Sequence, residues 1–483
     1  MSAAELRGLR ALEQRLQDEL EALALPAKRW SPAFEHPEGE VLDVVVVGAG
    51  MGGLALAAAL GLQGLAATVF DRAPRDREGP WLTTALMETL RSPKELVGPA
   101  LDLPSLTFAA WYQAQFGRTA WQALDKIARQ QWGQYLIWYR QVMRLDVRNE
   151  HDVTRVRPRA DGIVELQVQT VDGSHCYRAR RVVLALGLDA FAKPEVPAYV
   201  EGLPRERWSH SIEPLDYARL AGQRVAVVGA SAAAMDCAAT ALEAGAEAVE
   251  LLIRRPDFPR LNRSKGAGSA GLQQAYRHLP DAWKWRLANT IAREQIAPPR
   301  GSTLRVARHA NAFFNFASPI ERVEARGDGL IIHTPGGEVP VQHLILATGF
   351  SLDWAAHAPY ADFARELLLW GDVYTPPAEE ANALLASNPY LSDDFAFQSR
   401  TPGAVPGLER IHCLCFPAAL SMGQVAGAIP GVSVGAKRLA GALAARLYEE
   451  DQAQHFTRIL AYQEPELLGD EWQPAVPHSQ RQR

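Results

Sequence analysis

A buried strand, a glycine-rich turn and an apolar helix follow one another twice in this chain, and this repetition constrains the fold more than any other feature. The first copy is LDVVVVGAGMGGLALAAAL at 42–60, and the second is QRVAVVGASAAAMDCAATAL at 223–242. A further short apolar strand follows each copy, as ATVFD or as AVELLIRR. Because this order of elements builds a dinucleotide-binding unit, the sequence predicts an α/β fold with two Rossmann-like domains.

The first turn has the spacing Gly48-Ala-Gly50-Met-Gly-Gly53. Gly48 permits the tight turn, Gly50 lets the backbone approach a pyrophosphate, and Gly53 lets the helix pack close to the strand. The start of the helix then supplies N–H donors to the phosphates. Asp71, followed by Arg72, ends the next strand, where a carboxylate accepts hydrogen bonds from ribose hydroxyls. These residues predict a dinucleotide site.

The second turn reads Gly229-Ala-Ser231-Ala-Ala-Ala234, so serine and alanine replace the second and third glycines. We expect the serine either to displace the pyrophosphate slightly or to add a hydroxyl contact. Arg254 and Arg255 follow the next strand, where an acid would favour a free 2′-hydroxyl. Guanidinium groups suit a 2′-phosphate, so this unit predicts a nicotinamide nucleotide, NADPH in preference to NADH.

Two dinucleotide sites in one chain imply that one cofactor reduces the other. The N-terminal site is expected to hold a resident FAD, and the inserted second site a visiting nicotinamide nucleotide. The predicted division is a helical arm and linker at 1–40, a discontinuous FAD domain at 41–190 and 345–465, an NAD(P)H domain at 191–344, and a tail at 466–483.

Composition narrows the possible partners. The 50 basic and 55 acidic residues give a net charge of -5, so we expect no general attraction to nucleic acid or to an anionic membrane. The uncharged stretch 44–67 is long enough to span a bilayer, but its valines and glycines favour a buried strand, turn and helix. The N-terminus has no apolar signal segment, which predicts a cytoplasmic protein.

The cysteines, at positions 176, 237, 413 and 415, are too few and scattered for a disulfide scaffold. They form no Cys/His metal pattern, so we expect no metal site. Dithiol reductases of this architecture need a redox cysteine pair beside the flavin. Cys237 stands alone, and Cys413 and Cys415 alternate in a late strand, which predicts packed thiols.

The first 25 residues carry leucines at spacings of three and four, with charges between them. These are Leu6, Leu9, Leu12, Leu16, Leu20 and Leu23. The spacing predicts an amphipathic helix. It is expected to pack on the body of the protein or, alternatively, to form a homo-oligomer contact.

Four motifs together resemble the class B flavin monooxygenases, a group of two-dinucleotide flavoproteins, over residues 41–450. They are the first glycine turn, Gly79-Pro-Trp81, Trp208-Ser-His210-Ser211 and Ala347-Thr348-Gly349-Phe350. Gly79-Pro-Trp81 is similar to the family's Gly-Gly-Thr-Trp turn, with Pro in place of Thr. His210 matches only the end of the family's F-x-G-x-x-x-H signature, because Pro204 and Glu206 occupy the Phe and Gly positions. This departure disfavours a Baeyer–Villiger enzyme.

The resemblance implies that NAD(P)H reduces FAD, that dioxygen adds at flavin C4a, and that the peroxyflavin transfers one oxygen atom to substrate. The chemistry belongs to the cofactor, so no catalytic side chain is assigned, and His210 and Gln424 are only candidates. Trp81 would lie near the flavin. The turn around Gly423, Gln424 and Gly431 precedes a helix. The dipole of this helix would stabilise negative charge on the reduced flavin ring; alternatively, the helix only packs against the rest of the protein.

The substrate side is less defined. The aromatic-rich stretch 90–139, with Arg91 and Lys94, is expected to line the flavin pocket or to form ordinary core. Asn262 or Lys265 would meet a nicotinamide or polar substrate, or lie on the surface. The stretch resembles a bacterial subgroup related to FAD-dependent urate hydroxylases, which implies a small polar heteroaromatic substrate, with O2 as co-substrate. An ornithine- or lysine-type N-hydroxylase is the first alternative, and a reductase passing electrons to a protein partner is the second.

Overall fold

The computed structural model describes residues 3–188 and 191–481, and side chains from residue 7 onward within these ranges. The helices are α1 (Ala3–Ala22), α2 (Met51–Leu62), α3 (Phe108–Ala123), α4 (Arg129–Val142), α5 (Ala232–Glu243), α6 (Ala270–Ala275), α7 (Asp281–Glu294), α8 (Arg300–Ala307), α9 (Trp370–Val373), α10 (Ala383–Ala386), α11 (Ala419–Met422), α12 (Val432–Glu450) and α13 (Gln452–Leu460).

The strands are β1 (Leu42–Val47), β2 (Ala67–Phe70), β3 (Asp146–Arg148), β4 (Asp152–Pro158), β5 (Val164–Thr170), β6 (Gly173–Leu184), β7 (Ala192–Pro194), β8 (Trp208–His210), β9 (Arg224–Val228), β10 (Ala248–Leu252), β11 (Ala312–Asn315), β12 (Arg322–Arg326), β13 (Gly329–Thr334), β14 (Gly337–Val341), β15 (His343–Leu346), β16 (Phe350–Leu352) and β17 (Ile411–Cys413).

The first sheet is built around the valine run of the first unit. Strands β3, β2, β1 and β6 lie side by side and parallel, and β17 continues the parallel sheet beyond β6. The hairpin strands β5 and β4 extend it in antiparallel fashion. Val44, Val45 and Val46 are fully buried, as expected for a parallel strand covered on both faces.

The second sheet has the order β11, β10, β9, β15, β8, and all its neighbouring strands are parallel. Helices α5 and α8 pack together beside it, and a three-stranded antiparallel sheet of β12, β13 and β14 adjoins it. Each sheet begins from one strand, glycine turn and helix, so the predicted α/β class with two Rossmann-like sheets is confirmed.

The uncharged stretch 44–67 forms most of β1, the glycine turn and α2, as the sequence predicted. All but three of the twelve α2 residues are buried within the protein. Among the described residues, no helix is both long enough and apolar enough to cross a membrane.

Helix α1 packs on the chain's own body. Leu9, Leu12, Leu16 and Leu20 are buried against the main core, whereas the side chain of Leu6 lies outside the described residues. A Cβ at Gly8 would stand 1.7 Å from the carbonyl oxygen of Ala114, so α1 and α3 touch through their backbones. The apolar face of α1 is therefore occupied by its own chain.

The chain passes between the two sheets through a short ribbon. Strands β7 and β16 pair antiparallel, with Pro194 opposite Phe350 and Ala192 opposite Leu352. Strand β15, which crosses the predicted boundary at 344/345, hydrogen-bonds in the second sheet, and the boundary at 190/191 adjoins residues 189–190, outside the described ranges. The domain limits stay a prediction.

The aromatic-rich stretch forms core. Phe108, Trp132, Tyr135 and Tyr139 are fully buried, and Phe108 and Trp132 pack with ring centroids 5.7 Å apart. Of the two interpretations of this stretch, ordinary core is the one that these residues bear out.

Candidate active site

Two glycines of the first turn are required by packing within the protein. Gly48 has φ +102°, and a Cβ there would stand 2.7 Å from the Ala185 carbonyl oxygen. A Cβ at Gly53 would stand 1.9 Å from the Gly48 carbonyl oxygen. At Gly50 the nearest atom to an added Cβ is 4.0 Å away. Gly50 therefore faces space that the protein leaves open, where a ligand would come close to the backbone.

Asp71 fixes the turn from the next strand. Its carboxylate accepts hydrogen bonds from the backbone N–H of Ala49 at 2.7 Å and of Ala73 at 2.8 Å. Since a carboxylate offers about four acceptor positions, two remain for ribose hydroxyls. Arg72, the next residue, is exposed. Sequence reasoning placed Asp71 at this turn but not its bond to Ala49.

These features fit the adenosine diphosphate half of FAD. Helix α2 begins after Gly50 without a side-chain cap, so its first N–H groups are available to phosphate. Gly187, three residues after the end of β6, has φ +74°, and no atom of the described residues lies within 4 Å of an added Cβ there. The open space at Gly50 and Gly187 and the acceptors of Asp71 match what a dinucleotide needs.

Gly79 and Trp81 lie beside this turn. Gly79 has φ +66°, and its added Cβ would be 3.5 Å from the Cα of Gly50. The Trp81 ring packs edge-on against Trp132 with centroids 6.2 Å apart, and the Trp81 carbonyl accepts a hydrogen bond from Arg129 at 2.5 Å. The structure thus brings the predicted Gly-Pro-Trp turn to the first glycine turn.

The second glycine turn differs in its capping. Gly229 has φ +124°, and an added Cβ would stand 2.8 Å from the Ala347 carbonyl oxygen. The Ser231 hydroxyl accepts a hydrogen bond from the Ala234 N–H at 3.3 Å and so caps α5. Ala234 is fully buried. Here a side chain occupies one of the helix-end donors that α2 leaves free.

A cavity of about 1920 Å³ lies beside the second turn. Single ligands occupy pockets of about 300–1000 Å³, so this cavity has room for two. Among the described residues, six basic side chains and one acid, Glu195, line it. The basic ones are Arg91, Arg254, Arg255, Arg260, Lys265 and Arg300.

The charge of the cavity is locally positive although the whole protein is acidic. Arg254, Arg255, Lys265 and Arg300 have no ion pair among the described side chains, whereas Arg260 lies 2.7 Å from Asp257 and Arg91 lies 2.9 Å from Asp236. Unpaired guanidinium and ammonium groups beside a glycine turn and a helix start form a site for phosphates. These features fit NADPH.

The late turn that precedes α12 also reaches this cavity. Gly423 and Gln424 line it, and Gln424 is exposed. Gly423 has φ +84°, and its added Cβ would clash with the Tyr276 ring at 2.9 Å. Gly431 caps α12, and its added Cβ would stand 2.0 Å from the Gln424 carbonyl oxygen. Residues far apart in sequence thus form one wall with the second nucleotide unit.

His210 lies behind the cavity wall. It is 1% exposed, its Nε2 is 3.3 Å from the Thr348 hydroxyl, and its backbone N–H donates to Glu213 at 2.9 Å. Burial lowers the pKa of His210. The lining residues next to it are Ser211 and Ile212. This placement favours a role in holding the connection between the sheets.

The remaining candidates for substrate contact fall into two groups, those that line the cavity and Lys94, which does not. Arg91, Asn262 and Lys265 line the cavity. The Lys94 ammonium donates to the carbonyls of Trp121 at 2.9 Å and Leu124 at 2.5 Å, at the end of α3. The Lys94 cation satisfies helix-end carbonyls, and its expected place near the mouth of the flavin pocket stays a prediction.

Helix α7 forms a wall that sequence reasoning missed. Leu287, Ala288 and Ile291 line the cavity. On its other side Trp285 donates to the Glu380 carbonyl at 2.9 Å and packs near Trp370 with centroids 6.4 Å apart. Nothing in the local sequence of α7 predicts that it contacts the 370–390 segment.

Three of the four cysteines are packed thiols, and Cys176 is exposed. Cys237, Cys413 and Cys415 are buried, and the sulfurs of Cys413 and Cys415 lie 3.4 Å apart, unbonded. Burial raises the pKa of the Cys237 thiol to about 11, which disfavours the reactive thiolate.

Two glycine turns, each following a parallel strand of its own sheet, with a large cavity beside the second, define a two-dinucleotide flavoprotein. The chain is 36% identical over 471 residues to an FAD-dependent urate hydroxylase of Xanthomonas campestris pv. campestris, covering 96% of this chain and 98% of that protein. The protein therefore belongs to the family of this hydroxylase and is an oxidoreductase of the flavin-dependent monooxygenase class. The Pyridine nucleotide-disulphide oxidoreductase family also matches, at residues 42–277.

Solved structures share the fold at low identity. The ornithine hydroxylase of Pseudomonas aeruginosa in its reduced form has a TM-score of 0.64 and 16% identity, covering 84% of this chain and all (100%) of that one. The L-lysine 6-monooxygenase of Pseudomonas syringae has a TM-score of 0.62 and 18% identity, covering 84% of this chain and 99% of that one. These likenesses confirm the fold with its two nucleotide-binding sheets.

Proposed function

We propose that the protein is an FAD-dependent monooxygenase that uses NADPH and dioxygen to hydroxylate a small polar heteroaromatic compound, with urate as the substrate. In this reaction, substrate, NADPH, a proton and O2 give hydroxylated substrate, NADP+ and water. One oxygen atom enters a new C–O bond, and the other leaves as water. FAD, when bound, supplies the electron transfer and the activation of dioxygen.

The observation that carries the proposal is the shared cavity. It is lined by the second glycine turn at Gly229 and Ser231 and by the late turn at Gly423 and Gln424. A nicotinamide nucleotide and a substrate have room in it together. The relative from Xanthomonas, similar over nearly the whole chain, is described as a urate hydroxylase, which supports urate in particular.

We assign the site residues as follows. FAD is bound by Gly48, Gly50, Gly53, Asp71, Arg72, Trp81, Gly423 and Gly431, and NAD(P)H by Gly229, Ser231, Ala234, Arg254 and Arg255. The FAD-binding residues come from the two segments 41–190 and 345–465, and the NAD(P)H-binding residues from 191–344. In this assignment the chain binds, orients and shields the reactants from water, and His210 holds a connection rather than touching substrate.

The charge of the cavity separates urate from the amine alternative. Urate is an anion at neutral pH, whereas ornithine and lysine carry amines that are cationic there. Arg91, a basic lining group beyond the four that match the phosphates of NADPH, favours the anion. We therefore prefer urate to an amine, although enzymes acting on ornithine and lysine share the fold.

The test is substrate-stimulated oxidation of NADPH. Purified protein should be yellow, and urate should accelerate NADPH oxidation at least tenfold with one hydroxylated product per NADPH. Xanthine, ornithine and lysine serve as comparison substrates. Stimulation by an amine alone would replace urate with the N-hydroxylase alternative, and electron transfer to a protein acceptor without product would favour the reductase.

Two further assignments belong to this proposal. The protein is proposed to act in the cytoplasm, in keeping with its unbonded cysteines, which cell fractionation tests. A homo-oligomer through α1 would require exchange of the helix between copies, because its leucines are buried on its own chain. Light scattering with and without residues 1–25 tests it, since an unchanged mass excludes such an oligomer.

A further inference from the structure

Arg91 differs in origin from the other cations of the cavity. The five others belong to the stretch from Arg254 to Arg300, which follows β10 of the second sheet. Arg91 comes from the segment between β2 and α3, which packs with the first sheet. It therefore reaches the cavity from a different part of the chain than the other five cations, and it meets the second unit at Asp236 on α5.

The phosphate charge of NADPH is already matched without Arg91. A pyrophosphate and a 2′-phosphate carry about four negative charges in all. Arg254, Arg255, Lys265 and Arg300 provide four cations that lack an ion pair among the described residues. Arg91 is thus a surplus cation for the nucleotide.

Arg91 is held in position by a buried acid. Its Nη2 lies 2.9 Å from Oδ2 of Asp236, and the two side chains are 46% and 6% exposed. Oδ1 of Asp236 accepts a hydrogen bond from the Ser302 hydroxyl at 2.8 Å. Because the Ser302 hydroxyl holds the Asp236 carboxylate, Asp236 in turn orients the planar guanidinium before any ligand arrives.

The other edge of the guanidinium is free. Arginine has five N–H donors, and one hydrogen bond of Arg91, that to Asp236, is made within the described residues. The exposed part of the group faces the cavity. A planar anion with adjacent oxygen and nitrogen acceptors fits such a fork.

Resting on the proposed function, we infer that Arg91 is the specificity-determining residue that binds the anionic edge of the heteroaromatic substrate. Asp236 acts through it as a positioning residue. Ornithine or lysine would meet repulsion at the same point. The inference therefore names both the substrate charge that the site selects and the residue that selects it.

Arg91→Gln tests the inference, with Arg254→Gln as the matched control in the nucleotide cluster. Two quantities are measured for each: the Kd of urate from equilibrium titration of the oxidised holoenzyme, and the Kd of NADPH from anaerobic flavin reduction without urate. Arg91→Gln should raise the urate Kd at least twentyfold and the NADPH Kd less than threefold. Arg254→Gln should show the reverse.

Further variants separate recognition from folding. Arg91→Lys keeps the ion pair with Asp236 but loses the fork, and should raise the urate Kd about fivefold. Guanidine hydrochloride at millimolar concentration should restore urate binding to Arg91→Ala, which a structural defect would not allow. Asp236→Asn should raise the urate Kd less than Arg91→Gln does. FAD content and melting temperature check each variant.

The outcomes are distinct. An unchanged urate Kd in Arg91→Gln overturns the inference, as does an equal rise of the NADPH Kd, which would place Arg91 at the nucleotide. Binding of urate by the wild type without hydroxylation refutes the proposed function alone, and the Arg91 result then still decides the inference. Failure of the wild type to bind urate refutes both.

Discussion

The two glycine turns share a backbone plan but differ in what they leave open. In each, the first glycine is required by a carbonyl of a neighbouring strand, 2.7 Å from an added Cβ at Gly48 and 2.8 Å at Gly229. At the middle position, Gly50 leaves the start of α2 uncapped, whereas Ser231 caps α5 with its own hydroxyl. Packing within the protein thus requires glycine at the first position of each turn. The residue at the middle position is not required by packing and can differ with the ligand that is bound.

This difference fits a resident and a visiting cofactor. A helix start with all its donors available binds a pyrophosphate more tightly than one that has spent a donor on its own side chain. The second unit compensates with the unpaired charges of Arg254 and Arg255, in the place where the first unit has Asp71. Under the proposed assignment, charge there adds binding strength and selects the nucleotide.

The largest expected effect is at Gly53. Gly53→Ala places a Cβ 1.9 Å from the Gly48 carbonyl oxygen, so the helix must move away from the strand, at a cost of about 3 kcal/mol or more. We expect little soluble protein with bound FAD. The control Gly50→Ala, with 4.0 Å of space, should fold normally but lose FAD affinity. Soluble yield, FAD content and urea unfolding measure the difference, and a stable, FAD-loaded Gly53→Ala protein would contradict it.

The second prediction compares the sheets through their buried histidines. Burial lowers the pKa of His343, in the second sheet, to about 4, and that of His412, in the first, also to about 4. The folded pKa lies below the unfolded one, so the unfolded chain takes up protons first on acidification. The contribution of each neutral histidine to the free energy of unfolding is complete above about pH 6.5 and is lost as the pH falls towards 4. The free energy of unfolding should therefore fall by about 2 kcal/mol per histidine between pH 7.5 and 5.

His343→Gln and His412→Gln test this prediction by urea unfolding at the two pH values. Each substitution should remove part of the loss of stability on acidification. Two separate unfolding transitions, each sensitive to one histidine, would show that the sheets unfold independently. Full pH dependence in both variants would contradict the assigned cause.

The third prediction concerns the charges beside the second turn. Arg254→Ala should raise the KM for NADPH about 10- to 100-fold, the value of a charge-assisted pair with phosphate. The KM for NADH, which lacks the 2′-phosphate, should change less than twofold. Steady-state kinetics with both nucleotides measure this, with the 84% exposed Arg219 replaced by alanine as control. Equal effects on NADPH and NADH would remove the coenzyme preference.

The smallest expected effect is at Ser231. Ser231→Gly makes the second turn resemble the first and should cost only a few tenths of a kcal/mol, whereas Ser231→Ala should cost about 1 kcal/mol. Because the glycine variant releases the Ala234 N–H, the KM for NADPH should fall about twofold. A raised KM would mean that the hydroxyl itself contacts the nucleotide.

Local patterns in the sequence were sufficient for both sheets. The valine run of β1, the glycine turns and the hairpin between β5 and β6 were predicted because each depends on neighbouring residues. The position of Asp71 beside the first turn was predicted for the same reason, since it directly follows β2, the strand next to β1.

The cavity could not be predicted in this way. It forms where α7, the late turn at Gly423 and the segment carrying Arg91 meet, and these are far apart in the chain. The same limit explains Lys94, whose partners are the α3 carbonyls some 30 residues away. The positions of such side chains depend on packing between elements, which a local pattern does not contain.

The ribbon of β7 and β16 brings together the two points at which the chain leaves and rejoins the first sheet. A host protein could therefore have acquired the whole intervening stretch by a single insertion, because entry and exit need only one pair of adjacent positions. The same adjacency should allow the stretch to be transplanted. Replacing the residues that lie between β7 and β16 by the corresponding residues of a relative should transfer that relative's coenzyme preference and leave FAD binding unchanged.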